Sequence, residues 1–185
     1  IEQALGAYDD RAGAWIRINP LDGKGVGNAN VSEFKYALVE SDTLSKEKQL
    51  ALMQELQLPC AAIVDSGKKS LHAVVKVDAR DYNEYRDRVM RLYDVCRKNG
   101  LDPDTQNKNP SRLSRMPGAM RSGNRQRLVS GPCCKASWSE WWDWMQETTD
   151  DLPDPENLAS EWDDMPELAP PLIDGVLRQG HKMLL

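Results

Sequence analysis

Two carboxylates, Glu40 and Asp42, directly follow an apolar segment, residues 34–39, that is typical of a strand. Alternate residues of an extended chain project to the same side, so we expect both side chains to point one way. Paired oxygen donors of this kind suit hard cations such as Mg²⁺ or Mn²⁺. An ordinary solvent-facing pair of acids at a strand end is the alternative interpretation.

A polar segment with one glycine, DSGKKSLH at residues 65–72, separates two short apolar runs at residues 60–64 and 71–77. This pattern predicts a strand, a tight turn and a second strand. Hydroxyl, ammonium and imidazole groups gathered with turn N–H groups would form a receptor for a phosphate chain, and its members are Ser66, Lys68, Lys69, Ser70 and His72. A solvated hairpin tip is the alternative.

A third polar segment begins at Asp102-Pro103-Asp104 and is rich in arginine and asparagine. Residues 101–135 carry 7 basic and 2 acidic side chains, whereas residues 136–185 carry 2 basic and 12 acidic ones. The net charge of −5 therefore conceals a local cationic surface that suits a polyanion. Its candidate ligand-binding side chains are Lys108, Arg112, Arg115, Arg121 and Arg125.

Strands and helices that would position these residues alternate along the chain. Apolar periodicity, a capping serine at position 45 and the prolines at positions 20 and 59 set the boundaries. We predict an α/β or α+β domain in which helices cover a sheet of at least four strands. The expected strands are 14–19, 34–39, 60–64, 71–77 and 127–130, and the expected helices are 45–57, 81–98 and 137–147.

The remainder of the chain is expected to lie outside this domain. Residues 148–171 are acidic and rich in proline, which is typical of a linker, and residues 172–185 become apolar again. No apolar run approaches the roughly 18 residues of a membrane span, and no signal peptide is recognisable. We therefore expect no membrane partner. Cys60 and Cys96 lie in apolar surroundings, which favours reduced core thiols of a cytoplasmic protein.

Three segments, LVESD, SGKKSLHA and DTQNKNPSRLSRMPGAMR, resemble in order and spacing the motifs of the archaeo-eukaryotic primase superfamily, in its prim-pol branch. The resemblance spans about residues 13–130. It implies an RRM-like primase–polymerase catalytic core with an added α/β unit and a C-terminal helix. The first motif has Glu-x-Asp where many members have Asp-x-Asp or Asp-x-Glu. For the third motif we choose Asp104 rather than Asp102 because of its distance from Arg112.

The resemblance also implies an activity, namely template-directed nucleotidyl transfer by a DNA primase or polymerase that replicates a phage, plasmid or integrated element. Glu40, Asp42 and Asp104 would hold two Mg²⁺ or Mn²⁺ ions. The incoming nucleoside triphosphate would be bound by Ser66, Lys68, Lys69, Ser70, His72, Arg112 and Arg115. Lys108, Arg121 and Arg125 would contact the single-stranded DNA template.

The segment LAPPLIDGVLRQGHKMLL resembles the entry into the RecA-like helicase domain that follows prim-pol domains. The expected organisation is a catalytic domain over 1–147, a linker over 148–171 and the truncated start of a helicase domain over 172–185. A non-catalytic module that binds single-stranded nucleic acid and recruits or loads the helicase is the competing function. A nicking domain is disfavoured because His72 is the one histidine within 1–147.

Overall fold

The computed structural model describes residues 6, 8–150, 171–173 and 177–178. The chain divides into two compact units, Ile1–Trp144 and Met145–Leu185. In the second unit, β9 (Pro171–Ile173) pairs antiparallel with β10 (Leu177–Arg178). The elements of the first unit, of which the last continues beyond Trp144, are β1 (Trp15–Arg17), β2 (Phe34–Val39), α1 (Lys46–Glu55), β3 (Cys60–Asp65), β4 (Leu71–Ala79), α2 (Tyr82–Lys98), β5 (Leu113–Arg115), β6 (Met120–Arg121), β7 (Asn124–Arg125), β8 (Arg127–Ser130) and α3 (Trp138–Asp150).

A four-stranded antiparallel sheet in the order β2-β4-β3-β8 forms the centre of the first unit. Because β2 and β3 both run antiparallel to β4, the β2–α1–β3 segment is a split β-α-β unit with β4 inserted between its strands. Two smaller antiparallel pairs, β1 with β5 and β6 with β7, are formed outside this sheet. The predicted mixed α/β class, the sheet of at least four strands and the C-terminal helix are confirmed.

Helix α2 covers the sheet with the apolar face that its periodicity predicts. Tyr85, Val89, Leu92 and Cys96 are all buried, and Asp81 caps the helix by accepting a hydrogen bond from the N–H of Glu84 at 2.9 Å. Tyr82, in the first turn, is not buried with this face. Its ring centre lies 6.1 Å from that of Phe34, and the residue is 48% exposed.

Helix α1 is held through a buried polar side chain. Gln49 is fully buried, and its amide donates to the carbonyl of Leu44 at 2.8 Å and accepts from the N–H of Leu71 at 2.9 Å. Helix α3 is anchored by the fully buried Trp141, whose indole N–H donates to the carbonyl of Leu56 at 2.8 Å. Gln49 therefore fixes the first residue of β4 beside the polar turn.

The predicted linker and helicase start fall largely outside the described residues. Within the described ranges, no helix combines the length and the apolar character needed to cross a bilayer. All four cysteines carry free thiols, of which Cys60 and Cys96 are buried.

Candidate active site

The turn between β3 and β4 is shaped by its own side chains. Gly67 has a φ of +75°, a left-handed conformation that glycine adopts without strain, and its N–H donates to Asp65 Oδ1 at 2.7 Å. Ser66 Oγ accepts from the backbone N–H groups of Lys68 at 3.4 Å and Ser70 at 3.3 Å. Both serines are buried, whereas both lysines of the turn are exposed. The turn is thus held in one conformation and presents the ammonium groups of two lysines to solvent.

The two lysines border a cavity of about 290 Å³. Polar side chains from all three of the predicted motif segments line this one cavity. The predicted residues on its wall are Glu40, Asp42, Ser66, Lys68, Lys69, Ser70, His72, Arg112, Arg115 and Arg121, and the further lining residues are Trp15, Leu38, Asn107 and Leu113. The fold therefore assembles a single polar site from segments that are far apart in the sequence.

Glu40 and His72 form a buried contact at the floor of the cavity. His72 Nε2 lies 2.6 Å from Glu40 Oε2, and the two side chains are only 5% and 13% exposed. His72 Nδ1 accepts the backbone N–H of Arg115 at 3.4 Å, so the ring's own N–H is assigned to Nε2 and donates to Glu40. His72 Nε2 could contact a phosphate only if it gave up its hydrogen bond to Glu40.

The protonation of Glu40 reflects two opposing effects. Burial by itself raises the pKa of this carboxyl, but the hydrogen bond from His72 and the other polar neighbours together outweigh it, so that the pKa lies below its ordinary value. The Asn107 amide and the charge of Arg112 act in the same direction as His72. Glu40 is therefore an anion at neutral pH.

Two of the three arginines that line the cavity are held by backbone carbonyls. Arg115 donates to the carbonyl of Ala12 at 2.7 Å, and Arg121 donates to the carbonyl of Ser66 at 3.0 Å. Burial, and then the charge of Arg121, lower the pKa of Arg115 to about 10, so Arg115 still carries its charge at neutral pH. These contacts hold two guanidinium groups close together, which favours an anionic ligand between them.

Two polar groups on the wall lack partners. Arg115 Nε is buried without a hydrogen-bond partner among the described groups, and so are both amide atoms of Asn107. Asn107 is close enough to Glu40 to lower its pKa, yet it is in hydrogen-bonding geometry with no described group. An unpartnered buried polar group costs about 1–3 kcal/mol, so a ligand that pairs with these groups would be favoured.

The predicted three-carboxylate set is not brought together. Asp104 donates its backbone N–H to the carbonyl of Glu40 at 2.9 Å, but its carboxylate accepts from the N–H of Gln106 at 3.0 Å and caps a single-turn helix, Thr105–Lys108. In the part of the chain that the structure describes, no three His, Cys, Asp or Glu side chains form a group that could hold a metal ion. Glu40 and Asp42 offer oxygen donors to a cation in the cavity, whereas Asp104 as placed does not fit that set.

Lys108 and Arg125 lie outside this cavity. The Lys108 ammonium is 5.6 Å from the centre of the Tyr93 ring. Arg125 borders an adjoining cavity of about 330 Å³ together with Lys46 and Arg127, and Lys68 is shared between the two cavities. The basic surface therefore extends from the turn toward Arg125.

Sequence reasoning missed Trp15 and Asn107. Trp15 lies in a strand that the sequence predicted and is 46% exposed. A tryptophan in this short strand was the signal that could have indicated a binding role. Asn107 lies in a polar segment without periodicity, and its burial had no signal in the sequence.

No protein-family model matches this chain, and neither does any curated protein. Among solved structures, the chain is similar to the AEP domain (PP-N190) of the cyanophage S-2L Primase-Polymerase (PrimPol). The two are 17% identical with a TM-score of 0.49, over 72% of this chain and 69% of that chain.

Proposed function

We propose that this chain is the catalytic domain of a template-directed nucleotidyltransferase, a DNA primase or polymerase of the archaeo-eukaryotic primase superfamily in a mobile element. The observation that carries the proposal is that one cavity contains residues of all three motif segments. Glu40 and Asp42, the turn at 66–72, and Arg112 with Arg115 all line it. Acids and phosphate-binding cations that share one site are what transfer of a nucleotidyl group requires.

The charge of the cavity favours a triphosphate over a neutral ligand. Its wall carries two carboxylates and five cationic side chains, which are Lys68, Lys69, Arg112, Arg115 and Arg121. The lysines are exposed and sit on a fixed turn, so their ammonium groups would bind the β- and γ-phosphates. The unpartnered Arg115 Nε would gain an oxygen acceptor.

In the proposed reaction, a strand 3′-hydroxyl gives up its proton to solvent and its oxygen forms a bond to the α-phosphorus. The bond from that phosphorus to the bridging oxygen breaks, and pyrophosphate leaves. Arg112 and Arg115 would neutralise the charge that develops on the phosphate oxygens. The ionised Glu40, oriented by His72, and the neighbouring Asp42 would hold a Mg²⁺ or Mn²⁺ ion. When bound, that ion would supply further positive charge at the reacting phosphate.

Other assignments belong to the same proposal. Arg121 and Arg125, which border the two adjoining cavities, and Lys108 would contact the single-stranded DNA template. A second metal ion would require the Asp104 carboxylate to approach Glu40 and Asp42, with which it forms no metal-binding group among the described residues. The helicase domain of the same longer chain is the proposed partner in replication.

The proposal is tested by incubating the chain with single-stranded DNA, nucleoside triphosphates and Mn²⁺, and resolving the products by size. Wild-type chain and Asp94→Ala, which alters an exposed carboxylate on α2, are expected to give product, whereas Asp42→Ala gives none. Inactivity of the wild type on every template and with both metals would refute the proposal. If single strands were still bound, the non-catalytic binding module would then be preferred.

A further inference from the structure

Trp15 presents one covered ring face and one remaining exposed surface. The guanidinium carbon of Arg115 lies 3.2 Å from the ring centre, so that face is occupied. The pairing of β1 with β5 places Trp15 opposite Arg115, which fixes this stack through the backbone. Trp15 is nevertheless 46% exposed, so a large aromatic surface is held rigidly at the mouth of the cavity.

A third cavity of about 360 Å³ begins at Trp15. Its other lining residues include Arg17 and Val26, and it shares Trp15, Arg112 and Leu113 with the candidate active site. Arg17 is on the same face of β1 as Trp15, since alternate strand residues point the same way. Val26 is 72% exposed, so a second apolar side chain faces solvent at this cavity.

This third cavity combines positive charge with apolar surface. Two of its lining residues, Arg17 and Arg112, are cations, and no carboxylate is among the described residues that line it. Arg17 is oriented by a hydrogen bond from its guanidinium to the carbonyl of Ser111. An exposed aromatic ring beside cations is the arrangement that binds single-stranded nucleic acid, in which bases stack and phosphates contact the cations.

We propose that Trp15 is a stacking platform for a base of a bound single DNA strand, and that Arg17 and Arg112 contact the adjoining phosphates. Because Trp15 borders both the third cavity and the candidate active site, the stacked base would lie directly beside the nucleotide site. The inference rests on the proposed function and adds a base-stacking position to the strand contacts proposed for Lys108, Arg121 and Arg125. It concerns binding alone, so it can be tested whether or not the chain synthesises DNA.

The test measures the Kd of the full 185-residue chain for a fluorescent thymidine oligonucleotide by anisotropy, at several salt concentrations. Trp15→Leu keeps an apolar side chain without a ring and is expected to weaken binding about 5- to 140-fold. Trp15→Phe keeps a ring and is expected to bind within about threefold of wild type. Ile16→Ala is the matched control, because Ile16 is 48% exposed on the opposite face of the same strand and should not affect binding.

An oligonucleotide with abasic residues separates stacking from general damage. The proposal predicts that wild type and Trp15→Leu bind the abasic strand equally, and that the dependence of Kd on salt is unchanged, because stacking involves no counterion release. If Trp15→Leu weakened binding of the abasic strand as much as that of the normal strand, or reduced the dependence of Kd on salt, Trp15 would act only by supporting Arg115.

Other results would overturn the proposal as well. Wild-type affinity in Trp15→Leu, or failure of the wild-type chain to bind any single strand, would exclude the platform. If Trp15→Leu weakened binding of a nucleoside triphosphate but not of the oligonucleotide, the ring would serve the incoming nucleotide and not the strand. Trp15-dependent strand binding without synthesis would leave this inference standing while the proposed enzyme failed.

Discussion

Removal of the Glu40 carboxylate measures how much the buried contact between Glu40 and His72 contributes to the stability of the fold. Glu40→Ala leaves His72 Nε2, which lies 2.6 Å from its acceptor in the wild type, without a partner at a site where the histidine is 5% exposed. The loss of a hydrogen bond to a charged group is expected to cost about 1.5–3 kcal/mol of unfolding free energy. For a chain of this size, that loss lowers Tm by about 3–12 °C. Glu40→Gln keeps an oxygen acceptor and should cost roughly half as much.

The assay is a double-mutant cycle of Glu40→Ala and His72→Ala. Unfolding in urea is monitored by tryptophan fluorescence in the presence of EDTA. We expect the two substitutions to be coupled by about 1 kcal/mol or more. A coupling energy within about 0.5 kcal/mol of zero would show that the contact contributes nothing in solution, and the account of the cavity floor would be wrong.

The pH dependence of this contact has a definite sign. Because folding holds the pKa of Glu40 below its ordinary value, the unfolded chain takes up this proton first as the pH falls. The stabilisation is thus complete above the ordinary pKa of glutamate and is lost as the pH falls through the lower pKa of the folded chain. An unfolding free-energy difference between wild type and Glu40→Gln that persisted unchanged at strongly acidic pH would contradict this assignment.

Three further predictions follow from the cavity and its supports. Lys68→Ala with Lys69→Ala should raise the KM for nucleotide about tenfold or more with an unchanged Tm, because exposed phosphate contacts are lost; an unchanged KM would refute the phosphate role. Gln126→Ala should lower the unfolding free energy by about 2–5 kcal/mol in urea, because the fully buried Gln126 holds both the N–H and the carbonyl of Ala14 at 3.0 Å; a loss below about 0.5 kcal/mol would contradict it. Asp42→Ala should abolish Mn²⁺ binding measured by electron paramagnetic resonance, and wild-type affinity would remove Asp42 from the cation site.

The sequence was sufficient to predict those elements whose apolar pattern matches their burial. The alternation in β4 and the spacing of Tyr85, Val89 and Leu92 in α2 both reflect side chains that face one core. The polar turn between β3 and β4 was predictable for the same reason, since glycine and small polar residues between two apolar strands have few alternatives.

Buried polar residues limited the prediction elsewhere. Gln49 is fully buried because its partners are backbone groups of Leu44 and Leu71, and Gln126 is buried because it bonds Ala14, which is 112 positions away. Composition and periodicity classify both glutamines as surface residues, and only the folded chain supplies their partners. The same applies to the stack of Arg115 on Trp15, which arises from the distant pairing of β1 with β5.

The spacing of the motif carboxylates predicted the position of two of them but not of the third. The i, i+2 spacing of Glu40 and Asp42 does bring both to one cavity. The distance of Asp104 from Arg112 along the chain could not predict that its carboxylate would cap the single-turn helix that follows it. A short polar side chain just before a helical turn readily accepts the free N–H groups there.

The most direct test of the central claim is where the label of a nucleoside triphosphate goes when the chain meets a single-stranded template. Label on the α-phosphate should enter the strand, label on the γ-phosphate should leave as pyrophosphate, and the nucleotide incorporated should change when the template base is changed. Release of γ-label as inorganic phosphate, or incorporation that ignores the template, would contradict template-directed nucleotidyl transfer.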